Sequence, residues 1–154
     1  MKSSNRKDKA IKMKKLLGTL MIGAGAMLAH SAAAEGDIAE GEKLTAKRCK
    51  ACHMIADGDN VILKGGKVGP NLYGVMGRVA GSEDFKYGKS LVAAGESGLV
   101  WDQEQLIAYL ADPKKYLRTY LDDKKAKSKM AFKLKKEDQR ADIAAYLASL
   151  NSGS

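Results

Sequence analysis

The sequence predicts an all-α domain whose helices are joined by long loops. Apolar residues recur at helical spacing in several segments, and the period-2 alternation typical of strands is absent. The stretch 54–81 is instead dense in loop signals, "DGDN", "KGGK", "GPN" and "GR". A loop region of this length inside a compact domain needs a reason, and a large buried ligand that the loops wrap would provide one.

The first 34 residues have the three parts of a secretory signal peptide. A run of seven Lys and Arg residues precedes an apolar run from Leu16 to Ala29, and Ala32-x-Ala34 fits a cleavage site. The apolar run is too short to span a bilayer, so an uncleaved membrane anchor is the lesser alternative. We predict cleavage after Ala34, which leaves residues 35–154 as one domain. Met13 would also serve as a start, because a complete signal follows it.

Loss of the signal peptide changes the charge of the chain. The full sequence has 27 basic and 18 acidic residues, a net charge of +9. The signal holds seven of the basic residues and one of the acidic ones, so 20 and 17 remain and the net charge falls to +3. The strong basicity is therefore mainly a targeting feature and is no evidence for nucleic-acid binding.

The first helix is predicted in "GDIAEGEKLTAKRC". Asp37 can cap it, and Glu40 stands at the third helical position, as in a capping box. Gly41 lies near the apolar side and would let another helix approach closely. That apolar side has three residues, Ile38, Leu44 and Thr45.

Four more helices are predicted further along the chain. A short one lies around 89–94, and "WDQEQLIAYLAD" predicts another, with Asp102 as its cap. It ends near Asp112, because Pro113 disfavours helix in the residue before it and can itself open the next helix with Asp112 as cap. The final helix lies in "KKEDQRADIAAYLASL". The inner faces of these last three helices are Leu106, Ile107, Tyr109 and Leu110; Tyr116, Leu117, Tyr120 and Leu121; and Ile143, Tyr146, Leu147 and Leu150.

Both cysteines of the chain lie in one pentapeptide, Cys49-Lys50-Ala51-Cys52-His53, which has three interpretations. A thioredoxin-type dithiol site requires a strand–helix unit that the pattern lacks. A zinc site requires four ligands, and only three are available once His30 leaves with the signal peptide. Covalent attachment of haem c uses C-x-x-C-H. The two thiols bond to the haem vinyl groups, and the histidine, which lies one helical turn from Cys49, binds the iron. We therefore predict a haem c site.

A haem site needs two further residues: a hydrogen-bond acceptor for the His53 ring and a second protein ligand to the iron. The second ring nitrogen of His53 requires an acceptor, for which a carbonyl in "GPN", such as that of Pro70, is a candidate; an ordinary turn is the alternative. Of the methionines after the signal, Met54 adjoins His53 and cannot reach the other haem face, whereas Met76 is geometrically able to. Met130 lies in the polar segment "KAKSKMAFK", which would make a poor core, and this favours a ligand over the usual role of core filler.

Together these residues resemble the class I cytochromes c, and most of all the bacterial cytochrome c2 type that includes cytochrome c-550 of denitrifying bacteria. The resemblance runs from Gly36 to about Leu150. It rests on "CKACHMI", "KGGKVGPNLYGVMGR", "FKYG", Trp101, "YLADPKKYL", "DDKKAKSKMAFK" and "DIAAYLASL". Thr45 departs from the family, which usually has an aromatic residue there. The expected fold is that of class I cytochromes c, with helices and long loops around one haem.

The resemblance implies specific roles for residues of this chain. One haem c would be bound through Cys49 and Cys52, its iron ligated by His53 and Met130, with the Pro70 carbonyl accepting from His53. The remaining implied neighbours are Arg78, Tyr87 and Trp101 near the haem propionates, and Tyr109 and Ser128 near the Met130 sulfur. The first and last helices would cross with Gly41 facing Tyr146.

Lysines surround the proposed methionine ligand. Seven of them and no acidic residue lie between 124 and 136. Such a segment is usually only solvated, but here it would ring the exposed haem edge and steer the protein to acidic partners. The candidate docking residues are Lys50, Lys114, Lys115, Lys124, Lys125, Lys127, Lys129 and Lys133, and Lys47, Arg48, Lys135 and Lys136 extend the same charge.

An iron with both axial positions filled has no place for a substrate and can only gain and lose an electron, and methionine sulfur favours Fe(II). We therefore expect a soluble, monomeric periplasmic electron carrier and not an enzyme. It would carry electrons from a quinol-oxidising cytochrome bc complex to a terminal oxidase, a photosynthetic reaction centre or a denitrification reductase. The alternatives are a small peroxidase-like haem enzyme with Met130 unligated, and a haem-free thiol protein.

Overall fold

The computed structural model describes residues 36–150, so the expected signal peptide lies outside the described residues. Within this range the chain forms helices and one small hairpin: α1 (Ile38–Arg48), β1 (Ile55–Asp57), β2 (Asn60–Leu63), α2 (Lys89–Glu96), α3 (Gln103–Ala111), α4 (Pro113–Tyr120) and α5 (Glu137–Ser149). The predicted helical fold with long loops is confirmed. No helix in this range is long and apolar enough to cross a membrane.

The hairpin adds two short strands to the stretch 54–81, for which the loop signals predicted little regular structure. β1 and β2 pair antiparallel, with Ala56 opposite Val61 and Asp57 opposite Asn60. The turn between them contains Gly58 at φ +54°, a left-handed backbone that favours glycine. Period-2 alternation does not reveal these strands because they are short and because the ladder is irregular after Ile55, so that both Ile55 and Ala56 are buried.

Aspartate side chains cap three helices, as predicted. Each carboxylate accepts a hydrogen bond from a backbone N–H in the first turn: Asp37 from Glu40 (2.9 Å), Asp102 from Gln105 (2.7 Å) and Asp112 from Lys115 (3.0 Å). Pro113 occupies the first turn of α4, where its missing N–H costs no helical bond. The caps satisfy donors that a helix start otherwise leaves open.

Helices α1 and α5 cross in close contact at Gly41. A Cβ there would lie 2.0 Å from the Asp142 carbonyl oxygen and 2.8 Å from Cβ of Tyr146, so this approach requires glycine.

The second bond of the predicted capping box is not made by Glu40. Instead the N–H of Asp37 donates to Oδ1 of Asp142 at 2.8 Å, which ties the start of α1 to α5.

The core consists of the inner faces of α1, α3, α4 and α5, close to the predicted pattern. The fully buried members include Leu117, Ile143 and Leu147. Two residues predicted for the inner faces lie outside the core, because each is at a helix end. Ile38 in the first turn of α1 is 52% exposed, and Tyr120 ends α4 with its ring stacked on Tyr116. Partly buried members are Ile107, Tyr116, Leu121 and Leu150.

Thr45 is the unusual residue of this core. Its side chain is fully buried, and its hydroxyl has no hydrogen-bond partner among the described residues. The sequence had marked this position as a departure from the usual aromatic residue. The structure shows that the departure leaves a buried polar atom in α1.

Candidate haem site

A cavity of about 500 Å³ lies between the pentapeptide, the loops before α2, helices α3 and α5, and the segment around Met130. This volume is typical of a site that encloses a cofactor-sized ligand. All ten residues predicted for the haem site contribute to its lining: Cys49, Cys52, His53, Pro70, Arg78, Tyr87, Trp101, Tyr109, Ser128 and Met130. Residues separated by up to 81 positions in sequence thus meet around one space.

The end of α1 presents the two cysteines to this cavity. The N–H of Cys49 bonds to the Thr45 carbonyl at 2.9 Å, and the N–H groups of Cys52 and His53 both bond to the Cys49 carbonyl, at 3.0 and 2.9 Å. These bonds tighten the chain into a turn with both side chains on the cavity side. The thiols form no disulfide with each other.

The environment of Cys49 does not favour thiolate chemistry. Burial, and to a lesser degree the neighbouring Cys52, raises the pKa of its thiol to about 11. A thiol of this kind is protonated at neutral pH, which disfavours the thiolate that a dithiol redox site requires. Within residues 36–150, no three His, Cys, Asp or Glu side chains are grouped so that they could hold a metal ion. The donor set therefore fits covalent haem attachment better than a dithiol or zinc site.

His53 is held with one ring nitrogen directed to the backbone. Its Nδ1 lies 2.8 Å from the Pro70 carbonyl oxygen. A carbonyl can only accept, so Nδ1 carries the proton, and the lone pair of Nε2 is free for a metal. Burial lowers the pKa of His53, partly offset by the Pro70 bond, which favours the neutral ring. Gly69 permits this position, because a Cβ there would lie 2.3 Å from Cε1 of the ring.

Asn71 fixes the turn that carries Pro70, a role that the sequence analysis missed. Its Oδ1 accepts from the N–H of Ala56 (3.0 Å) and of Tyr73 (3.1 Å), and its Nδ2 donates to the Ala56 carbonyl (2.7 Å). The side-chain amide thus pairs with β1 much as a neighbouring strand would. The sequence feature that could have predicted this role is an asparagine directly after the "GP" turn, where the side-chain amide can bond to the backbone.

The three residues expected near the propionates each contact a different protein side chain. Arg78 donates from Nη1 to the Asn71 carbonyl at 3.1 Å and from Nη2 to the Tyr73 carbonyl, and Nη2 lies 3.0 Å from Oε1 of Glu83. Trp101 is buried and meets the ring of Tyr109 edge-on, with centroids 5.0 Å apart. Tyr87 packs in the same edge-on manner against Phe85. Burial raises the pKa of both Tyr87 and Tyr109, which keeps their hydroxyls as donors.

Met130 is the only methionine of residues 36–150 that lines the cavity; Met76 and Met130 both pack against the hydrophobic core, but Met76 is not part of the lining. Ser128 brackets its backbone, since Oγ donates to the Met130 carbonyl (3.0 Å) and accepts from its N–H (3.1 Å). A hydroxyl has one proton, so Tyr109, whose hydroxyl is 3.3 Å from Ser128 Oγ, must be the donor in that third bond. These contacts hold the Met130 backbone at the cavity wall.

The eight candidate docking lysines are all exposed, but two of them have internal partners. Lys129 Nζ donates to the Lys86 carbonyl at 2.7 Å, and Lys133 Nζ lies 2.6 Å from Oδ2 of Asp112. Lys127 and Lys129 also line the cavity. Substitution of Lys129 would therefore disturb structure as well as charge, whereas the internal contact of Lys127 is made by its backbone N–H.

Comparison with known proteins identifies the family of this chain. The family model described as Cytochrome c matches residues 38–151. The chain is 59% identical over 122 residues to cytochrome c-551 of Roseobacter denitrificans, covering 79% of this chain and 86% of that protein. It is 50% identical over 127 residues to cytochrome c2 of Rhodobacter capsulatus, covering 81% and 90%. The X-ray structure of cytochrome c2 from Paracoccus denitrificans matches with a TM-score of 0.72 and 49% identity, over 77% of this chain and 99% of that one.

Proposed function

Because this chain belongs to the cytochrome c family, whose members bind haem c covalently and transfer electrons rather than act as enzymes, we propose that it is a soluble periplasmic carrier. It takes single electrons from a quinol-oxidising cytochrome bc complex. It delivers them to a terminal oxidase, a photosynthetic reaction centre or a denitrification reductase. The resemblance inferred from the sequence motifs, and the expectation that the protein is not an enzyme, are confirmed by these relatives.

The observation that carries the proposal is the pairing of His53 and Met130 around one cavity. His53 offers a neutral ring with Nε2 free, and Met130 is held there by Ser128. Both side chains line the same space. We propose that these two side chains would hold the iron of a bound haem, which would leave no coordination position for a substrate. When bound, the haem supplies a one-electron Fe(III)/Fe(II) couple, whose potential a methionine ligand raises.

The cysteines provide the covalent attachment. Cys49 and Cys52 would hold the haem through two thioethers, because an S–H group can add across a vinyl group with no atom lost. The turn of α1 already holds both side chains at the cavity. The Pro70 contact to His53 and the Ser128 contacts to Met130, together with such thioethers, would limit the movement of these side chains when the oxidation state changes. A site that moves little on reduction requires little reorganisation, which favours rapid transfer.

Three further side chains are proposed to receive the propionates. Arg78 offers charge, while Tyr87 and Trp101 offer neutral donors, and all three line the cavity. Charge-assisted hydrogen bonds of this kind stabilise buried carboxylates. Glu83 already pairs with Arg78, so the guanidinium would bridge internal and haem carboxylates.

The surface lysines are proposed to dock acidic partners. Lys127 lies at the cavity lining, and exposed lysines on both sides of it extend the positive charge. Such a field raises association rates with oppositely charged surfaces. Periplasmic location rests on the basic, apolar and small-residue pattern of the first 34 residues.

The visible spectrum of the oxidised holoprotein tests the ligand set. Met130→Ala should abolish the methionine–iron charge-transfer band, lower the potential and open the iron to carbon monoxide or cyanide. Met76→Ala, the matched control, should do none of these, because Met76 is not part of the cavity lining. The reverse result would assign the sixth position to Met76, and a wild type without the band would favour the peroxidase-like alternative.

Covalent attachment has its own test. The mature protein, denatured and extracted with acidic acetone, should retain its haem, and Cys49→Ala or Cys52→Ala should sharply lower the yield of holoprotein. Release of all haem from the wild type by acidic acetone would contradict two thioethers. A protein without any haem in a pyridine haemochrome assay would favour the thiol alternative.

A further inference from the structure

The segment 127–135, which we name the strap, is fastened on both sides of Met130. On the side before the methionine, the N–H of Lys127 donates to Ser90 Oγ at 3.0 Å. The Lys129 ammonium donates to the Lys86 carbonyl at 2.7 Å. These contacts attach the first half of the strap to the start of α2 and the loop that precedes it.

On the other side, the strap is attached to the corner between α3 and α4. The N–H of Leu134 donates to the Leu110 carbonyl at 2.9 Å. One residue earlier, Lys133 Nζ lies 2.6 Å from Oδ2 of Asp112. Leu110 is in the last turn of α3 and Asp112 is the junction residue, so both contacts act at one point.

Asp112 is held in place before it binds the lysine. Its Oδ1 accepts the Lys115 N–H at 3.0 Å as the cap of α4, while Oδ2 faces Lys133. Because the cap already restricts the carboxylate, the ion pair orders little more than the lysine side chain. Lys133, foremost, and the Lys115 N–H lower the pKa of Asp112, so the carboxylate is charged at neutral pH. At 2.6 Å the contact is a short charge-assisted hydrogen bond.

We propose that the Asp112–Lys133 pair is a clamp that keeps the strap, and with it Met130, at the cavity. Asp112 is then a positioning residue for the sixth ligand. Lys133 is removed from the docking set, since its charge is compensated within the chain. This inference rests on the proposed role of Met130 as an iron ligand.

The clamp acts on the equilibrium between bound and released methionine. A strap shift that carries Met130 away from the cavity and begins after Met130 must separate Lys133 from Asp112. Lys133 and Asp112 side chains are 52% and 30% exposed, so the pair belongs to the partly solvated class. Measured pairs of this class change such an equilibrium by about two- to fivefold.

Imidazole titration of the oxidised holoprotein measures this equilibrium, because imidazole binds the iron only after the methionine leaves. Imidazole is chosen because its neutral form is insensitive to the surface charges that the variants change. Asp112→Asn retains a good helix cap but loses the charge, and Lys133→Gln removes the other partner. Each should bind imidazole about two- to fivefold more tightly, and the double variant should add little to either single one.

Lys43→Gln is the matched control, since it breaks a lysine–carboxylate contact of 3.3 Å, with Glu40, on α1. Its imidazole affinity should equal that of the wild type. Exchange of the Leu134 amide provides a measurement that does not involve the iron: it should become faster in both clamp variants, while the Lys115 amide keeps its protection. A cap defect alone would instead expose Lys115.

The two proposals fail in different ways. If the wild type shows the methionine band but both clamp variants match it in imidazole affinity and in Leu134 exchange, the clamp is wrong and the ligand set stands. If Met130→Ala leaves imidazole affinity unchanged, Met130 is not the ligand, and both proposals are overturned.

Discussion

Substitution of Gly41 by alanine tests how closely α1 and α5 must approach. The new Cβ would lie 2.0 Å from the Asp142 carbonyl oxygen, whereas ordinary contacts begin at 3.4 Å, so the helices must separate by about 1.4 Å. The obstacle is backbone and cannot rotate away. Overpacking of this severity costs about 3 kcal/mol, and the better helix propensity of alanine offsets about 1 kcal/mol. We expect Gly41→Ala to lower the free energy of unfolding by about 2 kcal/mol.

Thermal unfolding of the holoprotein, followed by far-UV circular dichroism, measures the effect. A loss of about 2 kcal/mol should lower Tm by at least about 6 °C in a domain of this size. Ala46→Gly in the same helix measures the propensity contribution separately and should cost about 1 kcal/mol. A Gly41→Ala protein as stable as the wild type would refute the close crossing.

Three other predictions follow from particular side chains. Lys127→Glu should slow second-order electron transfer to an acidic partner, measured by stopped flow, more than Lys43→Glu does. Raising the salt from 0.1 M to 1 M shortens the Debye length from about 10 to 3 Å and should remove most of the difference between the two rates. Equal effects at both positions would mean that the lysines only confer solubility. Thr45→Val should stabilise the protein to urea by about 1 kcal/mol, because it removes a buried hydroxyl without a partner; a destabilised variant would show that this hydroxyl is satisfied. Lys133, above all, lowers the pKa of Asp112, so the stabilising contribution of the Asp112 carboxylate is present above the ordinary aspartate pKa of about 3.9 and is lost as pH falls below that value. The urea stability of Asp112→Asn should therefore differ from that of the wild type at pH 7 and converge with it near pH 2.

The features that could be predicted from sequence are those carried by neighbouring residues. The caps at Asp37, Asp102 and Asp112 depend on a carboxylate three residues before an N–H, so the pattern and the structure agree. The pentapeptide is equally local, because one turn of chain brings Cys49 and His53 together.

Features that depend on contacts between distant segments were missed or left open. The hairpin of β1 and β2 is too short for its alternation to be visible, and its pairing with Asn71 spans 15 residues. The Asp112–Lys133 pair spans 21 residues. Sequence alone could not show that Asp112 faces Lys133, because which charged side chains meet depends on the folded chain.

The sequence by itself determined the helical pattern, the capped helix starts and the C-x-x-C-H segment from which haem attachment is predicted. Only the tertiary structure decided which methionine reaches the cavity: from the residues alone Met76 and Met130 both remained, and only Met130 lines the cavity in the described residues. The physical reason is range. Backbone propensity and capping act within one or two helical turns, whereas the lining of a cavity depends on how packed helices and loops bring remote side chains together.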